Sequence, residues 1–336
     1  MNITLPKVIF GTSALGNLYT ALPFETKRQI IEKIVKYSAA PVVFDSAGKY
    51  GAGLALESLR HCLEDLNVDP DNVMISNKLA WYRTELKTAE PTFEPGVWRD
   101  LKHDAVQKIG YQGMIDCFLQ GNELLGEYKP KLVSVHDPDE YLALAQTPEE
   151  EGKLFKDVLD AYRALLDLKQ DHDILIGVGA KSWKSIKRVT SYIDLDWVMI
   201  ANSMTIKSHP KDLLAFMEDL KARGVKIINS AVFHAGFLTG GAYYDYKLIK
   251  PDNDEHKAIF KWRDDFYGIC KEFDIKPAAA CVQFALSAPG VSSIALNTTN
   301  PNRVGENIKM ASEELPAEFW AALKCKGLIA DYYHYI

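Results

Sequence analysis

The stretch Val42-Val43-Phe44-Asp45-Ser46-Ala47-Gly48-Lys49-Tyr50-Gly51 has the pattern of a buried strand that runs into a tight turn. Its apolar run ends in the carboxylate of Asp45, and Tyr50 follows on a turn that Gly48 and Gly51 allow to bend sharply. Taken alone, the stretch is better explained by a polar strand end and a tyrosine that packs on the next helix than by a functional site. The ends of the other strands therefore decide between the two interpretations.

Short apolar runs of this kind alternate with amphipathic helical stretches along most of the chain. The apolar runs cover residues 8–12, 42–47, 73–79, 132–137, 174–179, 197–202, 225–232 and 291–296. Apolar spacing predicts helices at residues 24–38, 53–66, 111–126, 154–168, 182–192, 210–223, 255–273, 277–287, 303–310 and 316–326. The polar stretch 147–152 is expected to be a loop that leads into one of these helices.

Eight strand–helix units in 336 residues predict an α/β fold, most economically a closed (β/α)8 TIM barrel that forms a single domain over residues 1–336. The runs are apolar on both faces, as expected of parallel strands beneath helices. A doubly wound open sheet is the alternative, but no predicted strand leads into the G-x-G-x-x-G turn of dinucleotide-binding sheets. Two long aromatic-rich loops, residues 80–104 and 240–254, are expected to lie over the C-terminal rim of the barrel.

The composition argues against several classes of function. The net charge of -6, without a clustered Lys/Arg stripe, predicts that the protein does not bind nucleic acid. No apolar run is long enough for a membrane helix, and the first residues lack a secretion-signal pattern, so no membrane association is expected. Five widely spaced cysteines indicate reduced thiols in a cytoplasmic protein, and the lack of an H-x-H or H-E-x-x-H pair predicts no metal site. The expected partner is a small-molecule substrate, and the oligomeric state is not predicted.

Four polar residues are expected to meet at one rim, because active sites of (β/α)8 barrels lie at the C-terminal ends of the strands. Asp45 ends the second run, Tyr50 lies on the following turn, Lys78 ends the third run and His136 ends the fourth. Separately, a lysine that extends to solvent and a buried core histidine are ordinary structural features. Together, the ordinary explanation requires three neighbouring strands to end in titratable groups for unrelated reasons.

The four side chains suit the interconversion of an alcohol and a carbonyl. The pKa of a free tyrosine is about 10, too high for ready proton transfer at neutral pH. A nearby ammonium group stabilises the phenolate, and a carboxylate behind the lysine keeps it charged and in place. We therefore predict that Tyr50 is the general acid/base, that Lys78 and Asp45 tune it, and that a cofactor exchanges the hydride. His136 is expected to orient the substrate oxygen.

These motifs resemble those of the aldo-keto reductase family. Phe44-Asp45-Ser46-Ala47 with Tyr50-Gly51, Ser76-Asn77-Lys78 and Val135-His136-Asp137-Pro138 are similar to its Asp, Tyr, Lys and His motifs, and the similarity covers nearly the whole chain. Gly179-Ala180-Lys181 resembles a strand end of the sugar dehydrogenase branch, which includes L-fucose, L-galactose and D-threo-aldose 1-dehydrogenases. The resemblance implies the barrel fold and a nicotinamide cofactor, NAD or NADP.

The resemblance also implies which residues bind the cofactor. The expected cofactor-binding residues are Gly11, Thr12, Asn202, Ser230, Val232, Phe233, Asn297, Thr298, Arg303, Glu306 and Asn307. Three aromatic residues are expected to pack on a sugar ring: Trp81, Trp98 and Tyr243, the last in a loop that continues to Tyr246. On position alone, a surface ion pair on a helix is the preferred interpretation of Arg303 and Glu306.

Three positions depart from the common pattern of the family. Gly179-Ala180-Lys181 stands where a Ser-Asn pair usually holds the nicotinamide amide, and Met204 is expected where a tyrosine often stacks on the nicotinamide. Asn297 and Thr298 stand where a lysine and a serine often bind the 2′-phosphate of NADP. NAD is therefore slightly favoured, although Arg303 could still bind a phosphate.

The predicted function is an aldose 1-dehydrogenase-like oxidation of a hydroxyl-rich substrate, for example of L-fucose or D-arabinose to the lactone. The first alternative is an NADPH-dependent reductase of small aldehydes or ketones. The second alternative is a nucleotide-binding barrel of weak activity with a regulatory role, because the usual contacts to the nicotinamide are replaced.

Overall fold

The apolar runs of the sequence form a closed barrel of parallel strands. A computed structural model describes residues 3–245 and 247–336. The strands are, in chain order, β1 (Val8–Gly11), β2 (Val42–Ala47), β3 (Val73–Leu79), β4 (Trp81–Glu85), β5 (His103–Gln107), β6 (Leu132–His136), β7 (Leu175–Ala180), β8 (Trp197–Ala201), β9 (Lys226–Ser230), β10 (Tyr243–Tyr244), β11 (Lys247–Leu248) and β12 (Val291–Leu296). The barrel order is β1, β2, β3, β6, β7, β8, β9 and β12, and β12 pairs with β1 to close the ring. The predicted (β/α)8 barrel is confirmed.

Helices surround the barrel. They are α1 (Phe24–Tyr37), α2 (Leu54–Asp65), α3 (Tyr111–Leu125), α4 (Pro138–Leu142), α5 (Pro148–Asp171), α6 (Trp183–Thr190), α7 (Lys211–Ala222), α8 (Lys257–Glu272), α9 (Pro277–Ser287), α10 (Val304–Met310) and α11 (Ala317–Cys325). Short 3-10 helices span Ser13–Gly16, Pro70–Asn72, Phe237–Thr239, Asp254–His256 and Pro301–Arg303. In α1, Ile30, Ile31 and Ile34 share the buried face, as their spacing predicts. Within the described ranges, no helix combines the length and the apolar character needed to cross a bilayer.

Helix α5 begins earlier than expected. The stretch 147–152, which the composition predicts as a loop, holds its N-cap and first turn. Thr147 Oγ1 accepts a hydrogen bond from the backbone N–H of Glu150 at 3.2 Å, and Pro148 occupies the first helical position. The glutamates of this turn lie at the positive end of the helix dipole. Capping residues therefore determine where the helix begins. The apolar spacing starts only later in the helix and does not indicate this end.

Both long loops contain antiparallel strands that their composition does not predict. In the first, β4 pairs with β5, so that the segment returns on itself as a two-stranded arm. Between these strands, Phe93 and Trp98 are buried at 5% and 7% exposure and pack with Ala52 and Ala105. In the second, β10 pairs with β11. Tyr246, which the sequence places in the same loop, lies outside the described residues.

An apolar layer fills the interior of the barrel below its C-terminal rim. Its buried members come from most of the barrel strands and include Ile9, Val43, Leu132, Leu175, Trp197, Met199 and Ile228. The indole ring of Trp197 lies against Gly177 on the neighbouring strand, where a Cβ atom would be only 2.3 Å from the ring. Because side chains alternate between the faces of a strand, residues two positions beyond this layer also point into the barrel. Polar residues at those positions therefore face a space whose floor is closed.

Replacement of Gly177 by alanine is expected to destabilise the protein, because the new methyl group collides with the fully buried ring of Trp197. Overpacking of this kind lowers the free energy of unfolding by roughly 1–3 kcal/mol. The control is Gly268→Ala in α8, where no atom outside the helix lies within 4 Å of the added methyl. It should be neutral or stabilising by up to about 1 kcal/mol, since alanine favours a helix. Urea denaturation measures both variants, and equal unfolding free energies would contradict this account of the barrel floor.

Candidate active site

A buried ion pair joins the ends of β2 and β3. Lys78 Nζ lies 2.7 Å and 2.6 Å from the two carboxylate oxygens of Asp45, and the two side chains are 3% and 5% exposed. Ser76 donates a hydrogen bond to the same carboxylate at 3.0 Å, and Lys78 donates another to the backbone oxygen of Ser46 at 3.2 Å. Each buried charge thus has its counter-charge in direct contact, as the low polarity of a protein interior requires.

Tyr50 packs against this ion pair. Its ring centroid lies 4.8 Å from Lys78 Nζ. The ring of His136 stands edge-on to it, with centroids 5.7 Å apart and planes at 84°. The turn that carries Tyr50 depends on glycine, because a Cβ atom on Gly51, whose φ is 62°, would lie 2.3 Å from the backbone oxygen of Gly16. This close approach holds the tyrosine against the loop that follows β1.

His136 ends β6 and is buried in the wall of a cavity at the C-terminal rim of the barrel. Burial lowers the pKa of its imidazole well below the usual range, and the positive charges of Lys78, Lys49 and Lys181 lower it further. The ring is therefore neutral at neutral pH. Its Nδ1 is buried and has no hydrogen-bond partner among the described residues, whereas Nε2 lies 3.6 Å from the Asp137 carboxylate. A hydrogen on Nε2 is favoured, because that tautomer places the N–H beside the carboxylate.

Asp45, Tyr50, Lys78 and His136 all line one cavity. A phenol beside an ammonium group can exchange a proton with an alcohol or a carbonyl oxygen. A neutral imidazole N–H can hydrogen-bond to that same oxygen and fix its orientation. The arrangement can therefore support transfer of a hydride to or from the carbon that bears this oxygen. The individual roles of the four residues stay a prediction.

The cavity has a volume of about 850 Å³, near the upper end of the roughly 300–1,000 Å³ that small-molecule and cofactor sites occupy. Most of the predicted cofactor-binding residues line it: Gly11, Ser230, Val232, Phe233, Asn297, Thr298, Arg303, Glu306 and Asn307. They lie at the ends of β1 and β9, in the loop after β12 and on α10. Their guanidinium, amide and hydroxyl groups are donors that suit the phosphates and hydroxyls of a nucleotide, so the residues present fit a nicotinamide cofactor.

Two predicted cofactor residues and Met204 lie outside the lining of this cavity. Thr12 Oγ1 donates hydrogen bonds to the Asp45 backbone oxygen at 3.0 Å and to Ser46 Oγ at 2.8 Å, so it supports the end of β2. Asn202 has a left-handed φ of 59°, which turns the chain after β8. Met204 is fully buried in the core and does not line the cavity.

The three predicted aromatic residues occupy different layers around the cavity. Trp98 lines it, with its ring centroid 5.9 Å from that of Tyr50. Trp81 does not line it and packs against Phe93 at 5.6 Å. Tyr243 does not line it either: its side chain is exposed and stacks at 5.2 Å on Tyr19, which does line the cavity. Direct contact with a substrate is therefore available to Trp98 and Tyr19.

A group of charged residues beside the four predicted catalytic residues was not predicted as a unit. We call Lys49, Glu94, Asp137, Glu140 and Lys181 the charged wall. Lys49 is 4% exposed, and its Nζ lies 2.8 Å from a carboxylate oxygen of Glu94 and 2.8 Å from one of Glu140. Lys181 forms an ion pair with Glu140. All five except Glu140 line the cavity. The sequence signal that could have identified them is their position next to predicted catalytic residues, since Lys49 precedes Tyr50 and Asp137 follows His136.

Burial and charge act in opposite directions on the charged wall. Burial disfavours the charged form of Lys49, but the carboxylates of Glu94, Asp137 and Glu140 outweigh it and raise the pKa of the ammonium group. Burial raises the pKa of Asp137 to about 7, although Lys181 and Lys49 oppose this rise. Asp137 therefore titrates near neutral pH, next to a histidine that remains uncharged.

A further lysine, near Arg303, was also not predicted. Lys276 lines the cavity together with Arg303, and its Nζ forms an ion pair with Glu306. The hydrogen bond from Lys276 lowers the pKa of the Glu306 carboxyl, and the charge of Arg303 contributes in the same direction. The carboxylate of Glu306 thus pairs directly with the residue that precedes α9.

Comparison with known proteins identifies the family. Residues 7–327 match a model of the protein family described as "Aldo/keto reductase family". The chain belongs to the aldo/keto reductase family. It is an NAD(P)-dependent oxidoreductase with a barrel whose C-terminal rim carries the predicted catalytic residues. A nicotinamide cofactor, as used by this family, agrees with the donors that line the cavity.

Two curated relatives of this aldo/keto reductase are similar over nearly their full lengths. A pyridoxal 4-dehydrogenase from Microbacterium luteolum is 26% identical over 342 residues, which cover 98% of this chain and 96% of the relative. A D-threo-aldose 1-dehydrogenase from Pseudomonas sp is 25% identical over 348 residues, which cover 97% and 95%. Both relatives carry the name of a dehydrogenase.

Solved structures share the fold of this aldo/keto reductase. A glycerol dehydrogenase from Gluconobacter oxydans superimposes with a TM-score of 0.70 at 17% identity, over 97% of this chain and 92% of that one. The holo form of an aldo-keto reductase from Bacillus halodurans gives 0.68 at 14% identity, over 100% and 98%. At these identities the likeness establishes the barrel fold alone.

Replacement of Lys78 by methionine removes the partner of the buried Asp45 carboxylate. A buried charge that loses its partner typically lowers the free energy of unfolding by about 3–5 kcal/mol. The double variant that combines Asp45→Asn with Lys78→Met removes both charges and should recover a large part of this loss. Chemical denaturation of the wild type, the two single variants and the double variant yields the coupling free energy. Strictly additive losses in the double variant would contradict a direct interaction.

Proposed function

We propose that this aldo/keto reductase oxidises the cyclic hemiacetal form of an aldose at C1 to the lactone, with L-fucose or D-arabinose as examples of the substrate class. The observation that carries the proposal is the convergence of Tyr50, Lys78, Asp45 and His136 on a cavity that the charged wall also lines. The first group supports oxidation of an alcohol. The charged wall supports a substrate with many hydroxyl groups, since buried charges need polar partners.

The names of two relatives support this substrate class. One relative is named for D-threo-aldoses and the other for pyridoxal. In both compounds, an aldehyde carbon and a hydroxyl group of the same molecule can close to a cyclic hemiacetal. Dehydrogenation of such a hemiacetal gives a lactone, and this shared reacting group is what we carry over to the present protein.

In the proposed mechanism, Tyr50 accepts the proton of the hemiacetal hydroxyl. Lys78 stabilises the phenolate that accepts it, and Asp45 holds the ammonium group in place at 2.6 Å. The neutral ring of His136 donates a hydrogen bond from Nε2 to the same oxygen and so orients it. C1 loses two electrons with its hydrogen as a hydride, for which a bound nicotinamide cofactor supplies the acceptor.

The end of the cavity formed by Asn297, Thr298, Arg303 and Asn307 is the proposed site of the adenosine part of the cofactor. Asn297 and Thr298 are neutral, and Asn297 donates a hydrogen bond to Ser13 Oγ at 2.7 Å. An uncharged pair suits the free 2′-hydroxyl of NAD better than the 2′-phosphate of NADP, which prefers cations. We therefore propose NAD as the preferred cofactor.

A second candidate is the NADPH-dependent reduction of small aldehydes or ketones. The observation that favours it is the presence of two cations, Lys276 and Arg303, at the adenosine end of the cavity. Both could bind a 2′-phosphate. This candidate ranks second because Lys276 is already paired with Glu306, whose negative charge would repel a phosphate.

We propose the cytoplasm as the location of the protein. Among the described residues, all five cysteines are free and four of them are buried. Free thiols support a reducing compartment.

The variant Tyr50→Phe should lose sugar oxidation and keep its affinity for the cofactor. Removal of the phenolic oxygen removes the proton acceptor, and general acid/base catalysis contributes roughly 10²–10⁴-fold to kcat. Steady-state kinetics measures kcat, and fluorescence titration with NAD measures cofactor binding. The control is Tyr111→Phe, whose hydroxyl donates to Asp167 at 2.8 Å on the surface and should leave turnover unchanged. Wild-type turnover in Tyr50→Phe would show that our role for Tyr50 is wrong.

Parallel assays with NAD and NADP should separate the two candidate functions. We expect kcat/KM for oxidation of L-fucose or D-arabinose to be higher with NAD, because neutral Asn297 and Thr298 lie at the proposed ribose site. Propanal reduction with NADPH is measured beside it under the same conditions. Fast reduction of propanal without oxidation of either sugar would replace the first candidate by the second.

A further inference from the structure

Three nitrogen atoms surround one oxygen of the charged wall. Asp137 Oδ2 lies 3.6 Å from His136 Nε2, 3.8 Å from Lys49 Nζ and 3.8 Å from Lys181 Nζ. These distances exceed those of direct N–H···O hydrogen bonds, which are about 2.7–3.2 Å. Each of them is short enough for one hydroxyl group to bridge the nitrogen and the carboxylate.

The two lysines of this arrangement are held from behind. Glu140 forms an ion pair with both Lys49 and Lys181, and Glu94 holds Lys49 from another side at 2.8 Å. Asp137 itself stands at the N-cap position of α4 with a left-handed φ of 45°, and its side chain makes no capping hydrogen bond, which leaves the carboxylate for other partners. The charged groups are therefore positioned before a substrate arrives, which reduces the entropic cost of binding.

The chemistry of this arrangement matches a hydroxyl group. The carboxylate of Asp137 accepts a hydrogen bond, and the ammonium groups of Lys49 and Lys181 donate, so one hydroxyl can satisfy both kinds of partner. An alkyl group at this point would remove polar partners from buried charges, which is costly. The charged wall therefore distinguishes a carbon that bears a hydroxyl from one that does not.

The position of Asp137 indicates which hydroxyl this is. In the proposed mechanism, His136 Nε2 binds the oxygen on the reacting carbon, and Asp137 Oδ2 lies 3.6 Å from that nitrogen. Oxygen atoms on neighbouring carbons of a sugar are about as far apart as two hydrogen-bonded atoms. The hydroxyl group within reach of Asp137 is therefore the one on the carbon next to the reacting carbon.

We propose that Asp137, together with Lys49 and Lys181, binds the hydroxyl group on the carbon adjacent to the reacting carbon, and that this contact selects 2-hydroxy substrates over 2-deoxy substrates. The inference rests on the proposed function and adds the residues that determine substrate choice within it. Asp137 is here a substrate-binding residue, and it takes no part in the transfer of the proton or the hydride.

The test compares D-arabinose with 2-deoxy-D-ribose, which differ only by the hydroxyl on C2. The kcat/KM for D-arabinose, divided by that for 2-deoxy-D-ribose, is measured with NAD for the wild type and for Asp137→Asn, which keeps the shape of the side chain. We expect the ratio to fall by about ten- to a hundredfold, the usual contribution of a hydrogen bond to a charged group. Intrinsic differences in sugar reactivity cancel, because both enzymes face the same pair of substrates.

Two further variants support the comparison. Asp139→Asn is the matched control: its carboxylate lies on the same short helix, accepts a hydrogen bond from the Ser182 N–H at 2.8 Å and does not line the cavity. It should keep the wild-type ratio. Lys181→Gln should lower the ratio by a smaller factor. Because the Lys181 side chain is 36% exposed, this variant carries the test if Asp137→Asn fails to fold.

Each outcome decides between the two proposals. A wild-type enzyme that oxidises D-arabinose, with an unchanged ratio in Asp137→Asn and Lys181→Gln, overturns the inference and leaves the proposed function intact. A wild-type enzyme that oxidises neither sugar contradicts the proposed function. The same ratio is then measured for reduction of lactaldehyde and propanal, which differ by the same adjacent hydroxyl. If the wild-type enzyme turns over neither the two sugars nor the two aldehydes, both proposals are overturned.

Discussion

The ion pair between Lys78 and Asp45 constrains the proton-transfer part of the site. Two charges at 3% and 5% exposure persist only in contact, because an unpaired charge in a protein interior costs several kcal/mol. Their contact holds the C-terminal ends of β2 and β3 together, and Tyr50 packs on the ammonium group from the turn that follows β2. The same burial that keeps these ions together keeps His136 uncharged, and the charge of Lys78 adds to that effect.

The barrel was predictable because parallel strands covered by helices are apolar along their whole length, and that signal needs no knowledge of the loops. The β4–β5 arm could not be predicted in this way. Trp81–Glu85 mixes aromatic and charged residues and is only partly buried, so its composition is that of a loop. The start of α5 was missed for a related reason. A cap at Thr147 and backbone hydrogen bonds determine it, and neither leaves an apolar pattern.

The site was predictable as far as strand ends carry its chemistry. Asp45, Lys78 and His136 lie at or near the ends of barrel strands, so topology alone places them on one rim. The charged wall depends on the directions of turns, such as the left-handed backbone of Asp137, and strand patterns contain no information about these. Asn202 likewise has a left-handed backbone, and Met204, two residues further on, is buried in the core. A residue that matches a family position in the sequence therefore does not necessarily line the cavity, because single backbone angles change the direction of the chain.

The packing of Trp197 against Gly177 determines how molecules reach and leave the site. Since the interior below the rim is filled, the cavity is closed at its floor and lies towards the C-terminal end of the barrel. A molecule bound near that end delays the release of whatever lies deeper. We therefore expect a ligand deep in the cavity to leave only after one bound nearer the rim, so that slow dissociation at the rim would limit the rate of turnover.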